Sequence, residues 1–281
     1  MAQVINTNIA SLNAQRNMVS SQSSLSQSMQ RLSSGLRINS AKDDAAGLAI
    51  AERMNAQVRG MNVAIRNSND GISLAQTAEG ALSKVGDSLQ RMRELAVQSR
   101  NSTNSDDDKD SLNKEFLELQ NEIKRVLGGT AFNGKKILGS DATALTFQVG
   151  ANTTTDDVIT VNTTDMTQDT TITAVTVNTA KIDSSATAGA IATVIDDIDT
   201  AIDTINNKRA TFGATQSRFD AVIANLQQSV ENQSAARSRI MDADFASETA
   251  NLSRAQILQQ AGNAMVAQAN QAPQQVLSLL R

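Results

Sequence analysis

The sequence predicts a mainly α fold: long antiparallel helices forming coiled coils and an elongated bundle, with a small β-hairpin region in the middle of the chain. Two observations carry that prediction. Toward both ends of the 281-residue chain, apolar residues recur at alternating steps of four and three, whereas the Thr-rich middle has no such period. In the back half, Ile191, Ile195, Ile198, Ile202, Ile205, Phe212, Phe219, Ile223, Leu226, Val230 and Ile240 share one heptad register. Only Arg209, Gln216, Gln233 and Arg237 place polar groups in its slots. A seam of about seven heptads implies a helix that supercoils against other helices rather than one that caps a compact globule. Such helices build rods, filaments or stalks.

Taken in order, residues 3 to 34 read as a first helix, with Ile5, Ile9, Leu12 and Val19 on one stripe and Leu25, Met29 and Leu32 after a one-residue slip. Most of its remaining residues are Ser, Gln and Asn, and Arg16 and Arg31 are its only charges. A polar, uncharged face suits burial among other helices, where amides and hydroxyls pair across the contact. Residues 35 to 44 supply turn and cap chemistry and read as a connector.

A second helix is expected from Ala45 to Gln98, with Met54, Val58, Met61, Ile65, Ile72, Ala75, Leu82, Leu89 and Ala96 in register. Ser68, Glu79, Gly86 and Arg93 fill its weaker slots. Its interior glycines, Gly60, Gly71, Gly80 and Gly86, each cost roughly 1 kcal/mol against Ala, so the sequence leaves a break open. Unbroken, such a helix is ~80 Å long at ~1.5 Å per residue. A third helix starts at Ser105, carries Leu112, Phe116, Leu119, Ile123 and Val126, and stops at Gly128-Gly129. Beyond it, Asn133-Gly134 signals a tight turn, and residues 145 to 149, 158 to 161 and 171 to 177 read as short strands. The long heptad helix then begins near residue 188. After Met241-Asp242-Ala243-Asp244 comes a last helix with Leu252, Ile257, Leu258, Met265 and Val266. The tail, with Val276, Leu277, Leu279 and Leu280, is apolar and calls for a partner.

Composition removes most chemistry. Apolar residues make up 40% and charged residues 19%, as in a folded soluble protein, but there is no Trp, Tyr, His or Cys and only six Phe. That leaves no imidazole base, no thiolate nucleophile and no zinc site of the usual nitrogen or sulfur type. Without disulfides the chain must be held by packing or by assembly. A net charge of −4, from 25 basic and 29 acidic residues, offers no field for nucleic acid. No run approaches the ~18 apolar residues of a membrane span, so no membrane insertion is expected. Met1 to Asn8 has neither the charged head nor the apolar core of a cleavable signal.

The remaining clusters have ordinary readings. Counting Asp106 as the first ligand of a calcium loop puts Ser111 where Gly is needed and Leu117 where Glu is needed. Asp106, Asp107 and Asp108 fit the first turn of a helix instead, facing the positive end of its dipole. Asp43-Asp44 and the pair Asp242 and Asp244 also mark helix starts, and 2% aromatic content leaves few platforms for sugar stacking. No catalytic residue, cofactor or metal is expected. In the stretch Gln90 to Gln98, Arg91 and Leu95 lie one turn apart and share a face.

Together these residues resemble bacterial flagellin. Ile5-Asn6-Thr7-Asn8 and the run Leu32 to Gly47, LSSGLRINSAKDDAAG, are similar to the family's N-terminal signature. Asp242-Ala243-Asp244-Phe245-Ala246, Gln256-Ile257-Leu258, Gln268-Ala269-Asn270-Gln271 and Pro273-Gln274 are similar to its C-terminal one. The likeness covers roughly residues 1 to 140 and 188 to 281, and the middle corresponds to the family's variable region.

The resemblance implies a structural, non-enzymatic subunit that self-assembles into the extracellular flagellar filament and is exported unfolded. It implies an inner coiled-coil layer of residues 1 to 34 and 245 to 281, a connector at 35 to 44, a helical bundle of 45 to 129 and 188 to 244, and a short β-rich region at 130 to 187. Ile5, Ile9, Leu12, Leu258, Met265, Leu277 and Leu280 are then the polymerisation seams. Implied partners are further copies of the chain, an export chaperone, the filament cap and the hook-junction proteins. Recognition by Toll-like receptor 5 is implied at Arg91, Leu95 and Glu115, with Gln90 and Gln98 beside them. A rival within the class is a junction protein, which caps rather than extends. A signalling coiled coil, the rival from another class, would need a membrane anchor or a partner kinase site, and no anchor is expected from this sequence.

Overall fold

The computed structural model describes the backbone of residues 7 to 279 and the side chains of residues 7 to 271. Six helices and two small hairpins follow one another: α1 Ile9–Ser34, α2 Ala45–Ser99, α3 Asp106–Gly129, β1 Ala131–Phe132, β2 Lys135–Lys136, β3 Ala144–Gln148, β4 Val158–Asn162, α4 Thr170–Thr176, α5 Ala188–Met241 and α6 Phe245–Leu279. The mainly α class is therefore correct. The chain forms two compact units, Met1–Ala56 with Glu231–Arg281, and Gln57–Val230. Their boundaries fall inside α2 and α5, not at the connector.

Helix ends sit where the sequence provides caps. The Asn8 side chain accepts from the Ser11 N–H at the start of α1, and Gly35 ends that helix in the left-handed region at φ 71°. Ser105 and Asp108 form a reciprocal capping box on α3. Asn133 and Gly134, both with positive φ, turn β1 back onto β2 as the dipeptide predicts.

In the Gln57–Val230 unit, α2 and α5 run antiparallel, with side chains meeting in reverse order. Arg209 pairs with Glu79 at 2.9 Å, and Arg93 bonds Asp199 through both carboxylate oxygens at 2.6 and 3.1 Å. Polar slots in the two seams therefore face each other. The Asp199 carboxylate raises the Arg93 guanidinium above its ordinary range. Ile191, Ile198, Ile205, Phe212 and Phe219 of α5 are buried together with Leu82, Leu89, Met92 and Leu95 of α2 and Phe116 and Ile123 of α3.

The glycines do not break α2. At Gly71 a Cβ would stand 2.6 Å from the Phe219 ring, so the absent side chain admits that ring, whereas at Gly80 nothing lies within 4 Å. Gly71→Ala is expected to cost about 1 to 3 kcal/mol despite its better helix propensity. Gly80→Ala is expected to gain about 0.5 to 1 kcal/mol. Guanidinium unfolding followed by circular dichroism checks both, and equal shifts of the same sign would refute the packing argument.

Residues 130 to 187 do not stand apart from the bundle. Ile137, Leu138, Val149, Ile159, Val161, Met166, Ile172, Val175 and Ile182 all enter the core of the Gln57–Val230 unit. The strands expected at 145 to 149 and 158 to 161 are β3 and β4, paired antiparallel with Leu145 opposite Val161. The strand expected at 171 to 177 is instead α4. Asp169 caps it by accepting from the Thr171 N–H, and Ile172, Val175 and Thr176 bury at helical spacing. β-branched composition misled there, because burial on one helical face outweighs propensity. Buried polar groups hold the segment that follows: Gln120 Nε2 donates to the Val175 and Ala180 carbonyls, Ser99 donates to the Ile182 carbonyl, and Asn113 accepts from the Ile182 N–H.

In the other unit, the two connecting segments pair. Arg37 N–H donates to the Met241 carbonyl at 2.7 Å and Ala243 N–H to the Gly35 carbonyl at 2.9 Å, with the Arg37 guanidinium on the Ile240 carbonyl. Ile38, Ala51 and Met241 form a small apolar cluster beside them. Asp43 accepts from the Ser40 and Asn39 N–H groups and from the Ser40 hydroxyl, which holds its carboxyl below the usual range.

Candidate functional site

α1 and α6 pair along their lengths in antiparallel fashion. Asn8 Nδ2 donates to the Ala269 carbonyl at 2.7 Å, Ser11 Oγ bonds Asn270 Oδ1 at 2.8 Å, Met18 lies against Gly262, and Arg31 faces Glu248. The inward residues of α1 include Ser11, Ala14, Met18, Ser21, Leu25, Ser28 and Leu32, a heptad pattern, with Arg31 beside its last position. Those of α6 include Glu248, Ala255, Gly262 and Ala269, again seven apart. Small residues at these slots bring the backbones close.

This corrects the expected stripe on α1. Ile9, Leu12, Val19 and Met29 are each at least half exposed, as are Phe245, Ile257, Leu258 and Met265. Scoring apolar residues alone selected the outward row, while the seam that closes the pair is written mainly in Ser and Ala. Of the seven residues expected as polymerisation seams, Ile9, Leu12, Leu258 and Met265 project outward. Ile5 and Leu280 lie outside the described residues, and Leu277 outside the described side chains.

Exposure is uneven between the units. Nine of the twelve large apolar side chains exposed among the described residues belong to the Met1–Ala56 and Glu231–Arg281 unit, and only Val63, Val97 and Val177 to the larger one. Contiguous exposed apolar surface marks an interaction site.

The second candidate surface lies on the larger unit. Arg91 Nε donates to Glu115 at 2.8 Å and Arg91 Nη1 to Glu94 at 2.9 Å. Those two carboxylates, Glu115 foremost, raise the guanidinium above its ordinary range. Gln90 and Gln98 are exposed on the same helix. Leu95 departs from the expected patch: it is 0% exposed and belongs to the core. α2 is covered over a wide arc, so a residue one turn from Arg91 turns inward. Glu94 was the neighbour missed, although its spacing of three from Arg91 signals the pair.

No group of residues suited to a metal ion exists among the described residues, and no described helix is long and apolar enough to cross a membrane.

The chain is similar in sequence to known proteins over most of its length. Residues 5–143 match the bacterial flagellin N-terminal helical region, and residues 195–280 the bacterial flagellin C-terminal helical region. Flagellin of Halalkalibacterium halodurans is 46% identical over 289 residues, covering 99% of this chain and 100% of that protein. Flagellin of Bacillus subtilis is 43% identical over 304 residues, covering 99% of each. The crystal structure of Bacillus cereus flagellin aligns with a TM-score of 0.49 at 33% identity, over 57% of this chain and 88% of that one. These two family regions, with relatives matched over nearly their full length, place the chain in the flagellin family as a structural subunit of the bacterial flagellar filament.

Proposed function

We propose that the chain polymerises through the outward rows of its paired terminal helices, with Ile9, Leu12, Leu258 and Met265 in contact with further copies. The exposure of these side chains on a pair already closed by small residues is the observation that carries the reading. Ile5 stands seven residues before Leu12 and keeps its register, and Leu277 and Leu280 add apolar residues near the other end of the chain. The exposed apolar rows of α1 and α6 call for an export chaperone before assembly, and growth of the polymer for a filament cap and hook-junction proteins. The absence of Cys is compatible with export as an unfolded chain to the extracellular flagellum. Electron microscopy of the purified protein seeded with filament fragments tests the reading. Long tubular filaments are expected; short capped rods would move the assignment to a junction protein.

A second reading concerns recognition by Toll-like receptor 5 at Arg91, Glu115, Gln90 and Gln98, supported by their exposure and by the Arg91–Glu115 pair. Leu95 acts there from beneath, by supporting the helix. Arg91→Ala with Gln98→Ala is expected to lower receptor activation by tenfold or more. Stability should be little changed, as befits an exposed ion pair. Undiminished activation in a reporter-cell assay would remove the assignment.

A further inference from the structure

The α1–α6 pair contains a polar groove of about 340 Å³ between its helices, walled by Ser24, Ser28, Arg31, Glu248, Asn251 and Arg254. Its floor is an incomplete ion pair. Arg31 Nη1 and Glu248 Oε2 stand 3.8 Å apart, too far for a hydrogen bond, although the Glu248 side chain is only 10% exposed. Arg31 Nε is buried with no hydrogen-bond partner among the described residues, and the Glu248 carboxylate stands beyond hydrogen-bond reach of the guanidinium. Arg254 does not reach across, because it donates to Asn251 at 3.3 Å. Buried polar groups left unpaired are costly, so a site of this kind needs a partner.

The same unit holds every such atom. Arg31 Nε, Gln233 Oε1 and Arg237 Nε are the three buried, unpartnered side-chain polar atoms among the described residues, and all belong to the Met1–Ala56 and Glu231–Arg281 unit. The Gln57–Val230 unit satisfies its own interior. A unit that leaves both apolar rows and buried polar atoms unmatched is incomplete as a single copy.

The chemistry of the groove narrows the occupant. Arg31 offers a donor and Glu248 an acceptor, and the two charges cancel. An incoming cation or anion would leave one charge in excess at a partly buried site. A carboxamide suits both ends, since its oxygen accepts from a guanidinium N–H while its amino group donates to a carboxylate. Outward faces of α1 and α6 are rich in that group: Asn17, Gln22, Gln30, Gln256, Gln260 and Asn263 are all exposed.

Building on the assembly reading above, we propose that the Arg31–Glu248 groove receives an Asn or Gln side chain from a second copy of the chain. Register between copies is then set by this polar insertion, while the apolar rows supply most of the attraction. One buried polar contact in an apolar helix interface commonly serves such a purpose.

Seeded growth of the full-length chain tests the inference through the critical concentration. Arg31→Lys keeps the charge but removes the planar guanidinium donors that face the groove, and is expected to raise the critical concentration about tenfold. Ser24→Phe leaves Arg31 and Glu248 intact, sits on an exposed position, and fills the groove; the same direction is expected. Thermal unfolding of both unpolymerised variants should match that of the unsubstituted chain. An Arg31→Lys critical concentration within twofold of the original overturns the inference. Should Arg31→Lys fail to fold, Ser24→Phe decides by the same criterion. Failure of the unsubstituted chain to extend seeds would instead overturn the assembly reading, and this inference with it.

Discussion

Replacing Leu12, Leu258 and Met265 together by Ser is expected to abolish seeded filament growth while leaving the Gln57–Val230 unit folded. All three side chains are at least half exposed in the single copy, so their loss opens no cavity within it. In a polymer each would lose its remaining contact with water. Full burial of such a side chain contributes about 1.5 to 3 kcal/mol, and the portion still exposed here roughly half of that. Three positions sum to about 2 to 4.5 kcal/mol per subunit, a rise in critical concentration of roughly fortyfold to two-thousandfold. Sedimentation and electron microscopy measure the loss, and circular dichroism confirms that helix content persists. Filaments of ordinary length from this variant would sink the proposal that the outward rows drive polymerisation.

Phe219→Ala is expected to destabilise the larger unit by about 3 to 5 kcal/mol, the usual cost of emptying a buried aromatic site. Phe219 is 0% exposed and meets Phe147 edge to face, with ring centroids 5.6 Å apart and an interplanar angle of 83°. Its ring also fills the place where Gly71 has no side chain. One side chain thus joins α5, β3 and α2. The cavity would be lined from three elements that cannot all move in, which puts the expected cost at the upper end of the range. Denaturant unfolding gives the value, and a change below about 1 kcal/mol would mean that the three elements collapse onto the space.

Long helices were legible because their evidence is periodic and repeated. Each added heptad of α5, from Ile191 to Val230, restates the same buried face, so no single polar residue such as Arg209 obscures it. Caps at Ser105, Gly35 and Asn8 were equally readable, since they depend only on near neighbours. Around Arg91, the exposure of Gln90, Gln98 and Glu115 agrees with the sequence pattern, and the burial of Leu95 does not. Its side of α2 depends on where α3 and α5 lie, and that information is not local.

The misread elements share one cause. On α1 the most apolar row faces outward and a Ser- and Ala-rich row closes the pair, while at Thr170–Thr176 strand-forming residues bury as a helix. In both places several faces or states are nearly equal in local energy, and the choice falls to the neighbour that packs there. Pattern and composition were enough to specify helical class, helix ends and the flagellin resemblance, because each is a property of residues close together in the chain. Which face of α1 meets α6, that Gly71 admits Phe219, and that Arg31 and Glu248 stand half-paired in a groove follow from packing between segments far apart in sequence, where burial outweighs local preference.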